Sequence, residues 1–219
     1  HPRKILTTGE GGMITTNDGD FAARLRRLRN HSMSKSAAER TEKPPLRVTY
    51  DEVGFNYRMT DIQGAIGVAQ LSKLDTMLAT RRQQAARYND LCIAADLAVA
   101  LPPAPDFGTS NFQSYTLRLS DNLRLNDNLR LSETLPLNEG GARRRDAVVR
   151  QLQSRKIGAI AGIAGAHREA AYVTSTGSSE LPWTDYWMDT ALMLPLFHTL
   201  TAADQQRVVD ELRTALQTN

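Results

Sequence analysis

Apolar side chains recur every three to four residues along several stretches of the chain, and that spacing predicts its helices. Phe21, Leu25 and Leu28 share one face of a helix whose N-cap lies in "NDGD". Ile62, Ala65, Ile66, Ala69, Leu74 and Met77 recur at helical spacing behind Thr60 and Gln63, which form a capping-box pair. A helix is therefore expected to start sharply after "NYRM". "RRRDAVVRQLQSR" predicts another amphipathic helix, and a last one, capped by Thr201, turns Val208, Val209, Leu212 and Leu216 inward. Between these lie short runs of strand character: Met13 to Thr16, "NFQSYTLRL" and "IGAIAGI". The polar stretch from His31 to Tyr50, with Pro44 and Pro45, reads as a surface loop, and "LPPAPDFG" as a break between a helical and a strand-forming region. Helices and strands alternate throughout, which places the chain in the α/β class.

The strand-like segment runs into tandem repetition. "LRLSDN", "LRLNDN" and "LRLSET" follow one another from Leu117 to Thr134. Three such short copies are too few for a solenoid. Alternation places their leucines on one face and their arginines on the other, so they read as a local duplication that extends a strand or hairpin.

Length and composition narrow the function classes. With 219 residues the chain can bury a core of enzyme size, in one large domain or two small ones. Its hydrophobic fraction of 41% and charged fraction of 23% are ordinary for a soluble protein, and no apolar run approaches the length of a bilayer span. Cys92 is the single cysteine, which excludes an internal disulfide framework and a cysteine-based metal cluster. His31, His167 and His198 are not at metal-ligand spacing, so no metal site is expected. Without a secretory apolar segment, the cytoplasm is the default compartment. The net charge of +3 gathers locally in "ARLRRLRN" and "RRR", but no aromatic residues interleave with those arginines. They read as solvated helix faces, not as a nucleic-acid surface.

The candidate chemistry begins at "HPRKILTTGEGGMITTND". Taken alone, Lys4 is a solvated terminal charge. It is followed, however, by a glycine cluster, Gly9, Glu10, Gly11 and Gly12, where backbone can turn tightly and approach a ligand. Asn56 by itself reads as a turn residue ahead of a helix, and Arg58 equally as a surface charge or an anion contact. His167 and Tyr172, in "HREAAY", carry only a weak signal, and a structural histidine is the plainer reading. Gln113 and Tyr115 read as core or edge residues of a strand.

"HPRKILTTGEGGMITTND", "GFNYRMTDIQGAIGVAQL", "AHREAAY" and "LMLPLFHTLTAADQQRVV" stand in the order found in the DegT/StrS-type (DegT/DnrJ/EryC/StrS) sugar aminotransferases. The chain resembles that family over nearly its whole length. The resemblance implies a fold type I, pyridoxal-phosphate-dependent transferase. Residues 1–58 would be the end of the large cofactor domain, and 59–219 a linking helix with the small C-terminal domain. It implies Lys4 as the lysine that forms the Schiff base, and Asn56 as an amide that reaches the cofactor phosphate of a neighbouring subunit in a homodimer. Arg58, His167 and Tyr172 would face a nucleotide-sugar substrate. The implied reaction moves an amino group from glutamate or glutamine to a keto-sugar carried on a nucleotide.

A lysine suits that chemistry on independent grounds, since a primary amine can condense with an aldehyde and also shuttle a proton. Complete family members carry further cofactor residues ahead of this lysine, among them an aspartate for the pyridine nitrogen. The expectation is therefore that this chain alone catalyses weakly or not at all. Two other classes compete: a non-catalytic binding or oligomerisation module, and a deoxygenating relative in which a histidine replaces the lysine. Lys4 speaks against the second.

Overall fold

The alternation in "YTLRL" builds the centre of a four-stranded antiparallel sheet. In the computed structural model, which describes residues 1–34, 41–42, 47–104, 106–119, 141–162, 164–172 and 181–219, the strands are β1 (Val99–Ala100), β2 (Tyr115–Leu119), β3 (Ile160–Ala161) and β4 (Ala191–Leu194). Their order is β1-β2-β4-β3. The β2–β4 register sets Tyr115 opposite Leu194 and Leu117 opposite Leu192, so these four buried side chains share one face. The chain divides into two compact units, His1–Leu74 and Asp75–Asn219, and the sheet belongs to the second.

Helices α3 (Leu74–Ala94), α4 (Gly141–Ser154) and α6 (Ala202–Thr218) cover the leucine-bearing face. Ala85, Tyr88 and Cys92 of α3, Val148 and Leu152 of α4, and Val208, Val209 and Leu212 of α6 are buried with the strand residues in one cluster. Burial pushes the Cys92 thiol up to about 11, which makes it a packing group and not a reactive one. Polar side chains at this cluster are tied to nearby groups, although Gln84 Oε1 has no partner among the described residues. Tyr115 donates to Asn89 Oδ1 at 2.7 Å, and Tyr88 donates to the Pro195 carbonyl at 3.0 Å. Gln84 donates to the carbonyls of Phe197 and Leu200, and Gln205 donates to the Gln84 carbonyl, so the turn that follows β4 is tied to α3 and α6.

The other face of β2 carries Thr116 and Arg118 and meets α5 (Pro182–Thr190). Arg118 is buried, with its guanidinium 5.1 Å from the ring centre of Tyr186 and 5.0 Å from that of Trp187. Leucines on one face and arginine on the other is the arrangement expected of the repeat's first unit. The rest of the repeat, from residue 120, lies outside the described residues, as do 35–40 and 43–46 of the expected surface loop.

In the N-terminal unit, α1 (Gly19–Leu28) starts at Asp18, whose carboxylate accepts from the Phe21 amide at 2.9 Å. The expected capping box forms at the start of α2 (Asp61–Leu71), with Thr60 Oγ1 accepting from the Gln63 amide and Gln63 Oε1 from the Thr60 amide. Two expectations are corrected. Met13 to Thr16 form no strand, because no neighbouring segment among the described residues hydrogen-bonds to them, and Met13 is 83% exposed. The helix behind Thr60 is also not continuous. Ser72 Oγ donates to the Ala69 carbonyl at 3.0 Å and the Lys73 amide turns to Gln70, which ends α2 before α3 begins. The apolar stripe at Ile62 and Ile66 is exposed, at 76% and 41%. The side of α2 that makes contact carries Gln63 and Gly67 instead.

Two measurements test this packing. Leu212→Ala removes a fully buried side chain and should lower the unfolding free energy by about 2–5 kcal/mol in urea titration. Hydrogen bonds from the Thr201 hydroxyl and amide, helped by the charge of Arg207, hold the Asp204 carboxyl below its ordinary value of 3.8 against a small opposing effect of desolvation. A depressed folded-state value stabilises above the unfolded value and is lost as pH falls through the folded one. Protection factors of the first-turn amides of α6 should therefore hold steady above about pH 5 and fall below about pH 4, and Asp204→Asn should abolish that step.

Candidate active site

Lys4 sits in the turn that opens the N-terminal unit, with its backbone amide donating to the His1 carbonyl at 3.0 Å. Its side chain is exposed and makes no hydrogen bond or ion pair among the described residues. The following GEGG segment is held by two threonines. Thr7 Oγ1 accepts from the Gly9 amide at 3.0 Å, and Thr8 Oγ1 donates to the Glu10 carbonyl at 3.0 Å. Gly9 has φ +88°, a conformation that disfavours any side chain, and a Cβ at Gly11 would lie 2.6 Å from Thr8 Oγ1. Gln63 then clamps the segment, since its Nε2 donates to the Glu10 carbonyl at 3.0 Å while its Oε1 completes the capping box. One side chain thus fixes both the start of α2 and the glycine turn.

Asn56 and Arg58 are positioned by the end of α1. The last carbonyls of a helix have no partner within it. Here the amides of Phe55 and Tyr57 donate to the Leu28 and Arg29 carbonyls at 2.7 and 2.8 Å, and the His31 amide returns to Phe55 at 2.8 Å. This short antiparallel pairing sets Asn30 opposite Asn56. In an extended segment alternate residues share a side. Asn56 and Arg58 therefore lie on one face, while Phe55 and Tyr57 stack on the other with centroids 5.0 Å apart. Arg58 donates to Asn30 Oδ1 at 2.7 Å, and the Asn56 side chain is exposed.

His167 and Tyr172 belong to the C-terminal unit. His167 lies in a 3₁₀ turn, Ala166–Arg168, with Nε2 2.8 Å from Asp185 Oδ1 on α5. Arg168 reaches the same carboxylate oxygen at 2.5 Å and Asp189 at 3.1 Å. Burial works to raise the Asp185 value, but the hydrogen bond from His167 and the Arg168 charge outweigh it and hold the carboxyl below its ordinary range. Tyr172 keeps its ring exposed, with its amide donating to the Glu169 carbonyl at 2.9 Å. Sequence reasoning singled out His167 but not Arg168, Asp185 or Asp189. The available signal was the i, i+4 pair of aspartates in "TDYWMDT", which a helix presents on one side. Among the described residues no group of three or more His, Cys, Asp or Glu is arranged to hold a metal, and no helix is long and apolar enough to cross a membrane.

Residues 1–213 match the DegT/DnrJ/EryC1/StrS aminotransferase family, and the chain belongs to it. A GDP-perosamine synthase of Caulobacter vibrioides is 34% identical over 213 residues, covering 97% of this chain and 50% of that protein. The aminotransferase TlmJ of Streptoalloteichus hindustanus superposes with a TM-score of 0.76 at 26% identity, over 98% of this chain and 50% of its own. The sugar aminotransferase CalS13 of Micromonospora echinospora gives 0.74 at 24% identity, over 96% and 49%, a likeness of fold. The fold is thus the α/β, fold type I arrangement expected from the sequence, and the chain spans about half the length of the relatives it matches.

The pairing that positions Asn56 depends on Gly54. A Cβ there would lie 2.2 Å from the Ser32 amide nitrogen and 2.3 Å from the His31 carbonyl carbon, both of them backbone atoms. Gly54→Ala should therefore open the His31–Phe55 bond, and exchange of the His31 and Tyr57 amides should rise by about tenfold or more while α6 amides stay unchanged.

Proposed function

We propose that the protein to which this chain belongs transfers an amino group from glutamate or glutamine to a keto-sugar carried on a nucleotide, with pyridoxal phosphate as cofactor. Family membership over nearly the whole chain, with a lysine at position 4 whose amine is exposed and unengaged, is the observation that carries this reading. The similarity to a GDP-perosamine synthase makes a GDP-linked keto-sugar the first acceptor to test. Residues 1–58 would close a larger cofactor domain, and 59–219 would form the linking helix and small domain.

The residues in hand fit part of a pyridoxal phosphate site. An unengaged amine and an exposed amide on a backbone-anchored segment are the groups required to hold an aldehyde and a phosphate. When bound, the cofactor supplies an aldehyde that captures amines and a conjugated ring that takes up electrons. Lys4 Nζ would hold the cofactor and, once released, carry the proton removed from the donor's α-carbon. Asn56 would donate its amide hydrogens to the phosphate of a neighbouring subunit's cofactor, which makes a homodimer part of the reading. Arg58 keeps further guanidinium hydrogens beyond the one given to Asn30, and these suit a nucleotide diphosphate. His167 and Tyr172 would contact the sugar nucleotide. The compartment consistent with this chemistry is the cytoplasm.

Incubation with pyridoxal phosphate, borohydride reduction and peptide mass spectrometry tests the central assignment. Lys4 should carry the adduct, with Lys35, Lys43, Lys73 and Lys156 unmodified, and Lys4→Ala should remove it. Equal labelling of all five lysines would overturn the assignment.

A further inference from the structure

We propose that Asp185 is a positioning residue that fixes the ring of His167, so that Nδ1 is the one polar atom this histidine can offer to a bound sugar nucleotide. The inference rests on the amination reading only in placing His167 at the substrate.

An ionised carboxylate accepts hydrogen bonds and cannot donate them. With Nε2 2.8 Å from Asp185 Oδ1, the proton of a neutral imidazole must sit on Nε2, and the lone pair is left on Nδ1. Nδ1 has no hydrogen-bond partner among the described residues, although the side chain is only 12% exposed. Nδ1 is not one of the buried unpartnered atoms, so it stays open to water or to a ligand.

The ring is restrained from two directions. Arg168, the next residue, bonds both Asp185 and Asp189, so adjacent side chains seat the turn on one face of α5. On the opposite edge, a Cβ at Gly165 would lie 2.7 Å from Cε1 and 2.8 Å from Nδ1 of His167, and 2.5 Å from Met188 Sδ. Only glycine leaves room for the imidazole there, and its amide donates to Met188 Sδ at 3.0 Å. Met188 is held in turn, because Arg145 donates to its carbonyl. Asp185 therefore sets the tautomer, and Gly165 admits the ring.

The assignment predicts a signature that loss of packing alone would not produce. In long-range proton–nitrogen NMR spectra of the ¹⁵N-histidine-labelled chain above the imidazole titration, His167 should be the Nε2–H tautomer. Asp189→Asn, at a carboxylate that pairs with Arg168 alone among the described residues, should leave it so. Asp185→Asn should shift the population towards Nδ1–H, since an amide can donate to Nε2. An Nδ1–H tautomer in the unsubstituted chain, or an unchanged tautomer in a folded Asp185→Asn chain, overturns the proposal, and the first needs no variant at all. GDP-mannose serves as the ligand probe, and its affinity read from the His167 signals should fall about tenfold in Asp185→Asn. A tautomer that follows Asp185 in a chain that binds no GDP-mannose would overturn the sugar-nucleotide reading and leave the Asp185–His167 assignment standing.

Discussion

The guanidinium of Arg118 lies between the rings of Tyr186 and Trp187 on the face of β2 turned away from the leucine core, and Nε has no hydrogen-bond partner among the described residues. Removing a cation from water this far costs several kcal/mol unless other groups replace the lost solvation. The two ring faces supply part of that replacement. Both rings belong to α5, so β2 can bury its second face only with α5 docked against it. Desolvation lowers the Arg118 value, with the charge of the Tyr186 phenol group opposing it, yet an arginine stays charged. The strand at the centre of the sheet thus demands a particular helix on its outer side. That helix then presents Asp185 and Asp189 to the turn bearing His167.

A different constraint organises the N-terminal unit. None of its large apolar side chains among the described residues is buried, and backbone groups carry the order instead. The open carbonyls at the end of α1 are met by the segment 55–57, and the Glu10 carbonyl is met by Gln63. His31 and Ser32 take left-handed backbone conformations, at φ 59° and 55°, to bring the chain back past Gly54. Hydrogen bonds of this kind specify position more than they stabilise, since each contributes about 1 kcal/mol net. Lys4, Asn56 and Arg58 are consequently placed by local backbone chemistry, whereas His167 is placed by a packed helix.

Much of this was legible in the sequence. The capping pairs at Thr60 and Thr201, the stripe Val208, Val209 and Leu212, and the strand at Tyr115 depend on neighbours within a few residues, and local spacing carries that information. The family motif around Lys4 was equally readable, because the lysine and the glycine turn stand together in the chain. Where the reading failed, the missing term was a distant partner. Met13 to Thr16 have strand composition and no partner strand among the described residues, and Ile62 and Ile66 have helical spacing without burial.

The sequence by itself therefore determined that the segments at Phe21, Ile62, Val148 and Val208 are helical, that Asp18, Thr60 and Thr201 mark where three of them begin, and that a lysine stands at the head of an aminotransferase motif, since each follows from contacts along the chain. Only the tertiary structure decided that Asp185 and Asp189 face His167 and Arg168, that the Gly165 amide meets Met188, and that Arg118 is buried against two rings. Those contacts join residues about twenty to seventy positions apart, and their partners are selected by how helices and strands pack, which no local spacing encodes.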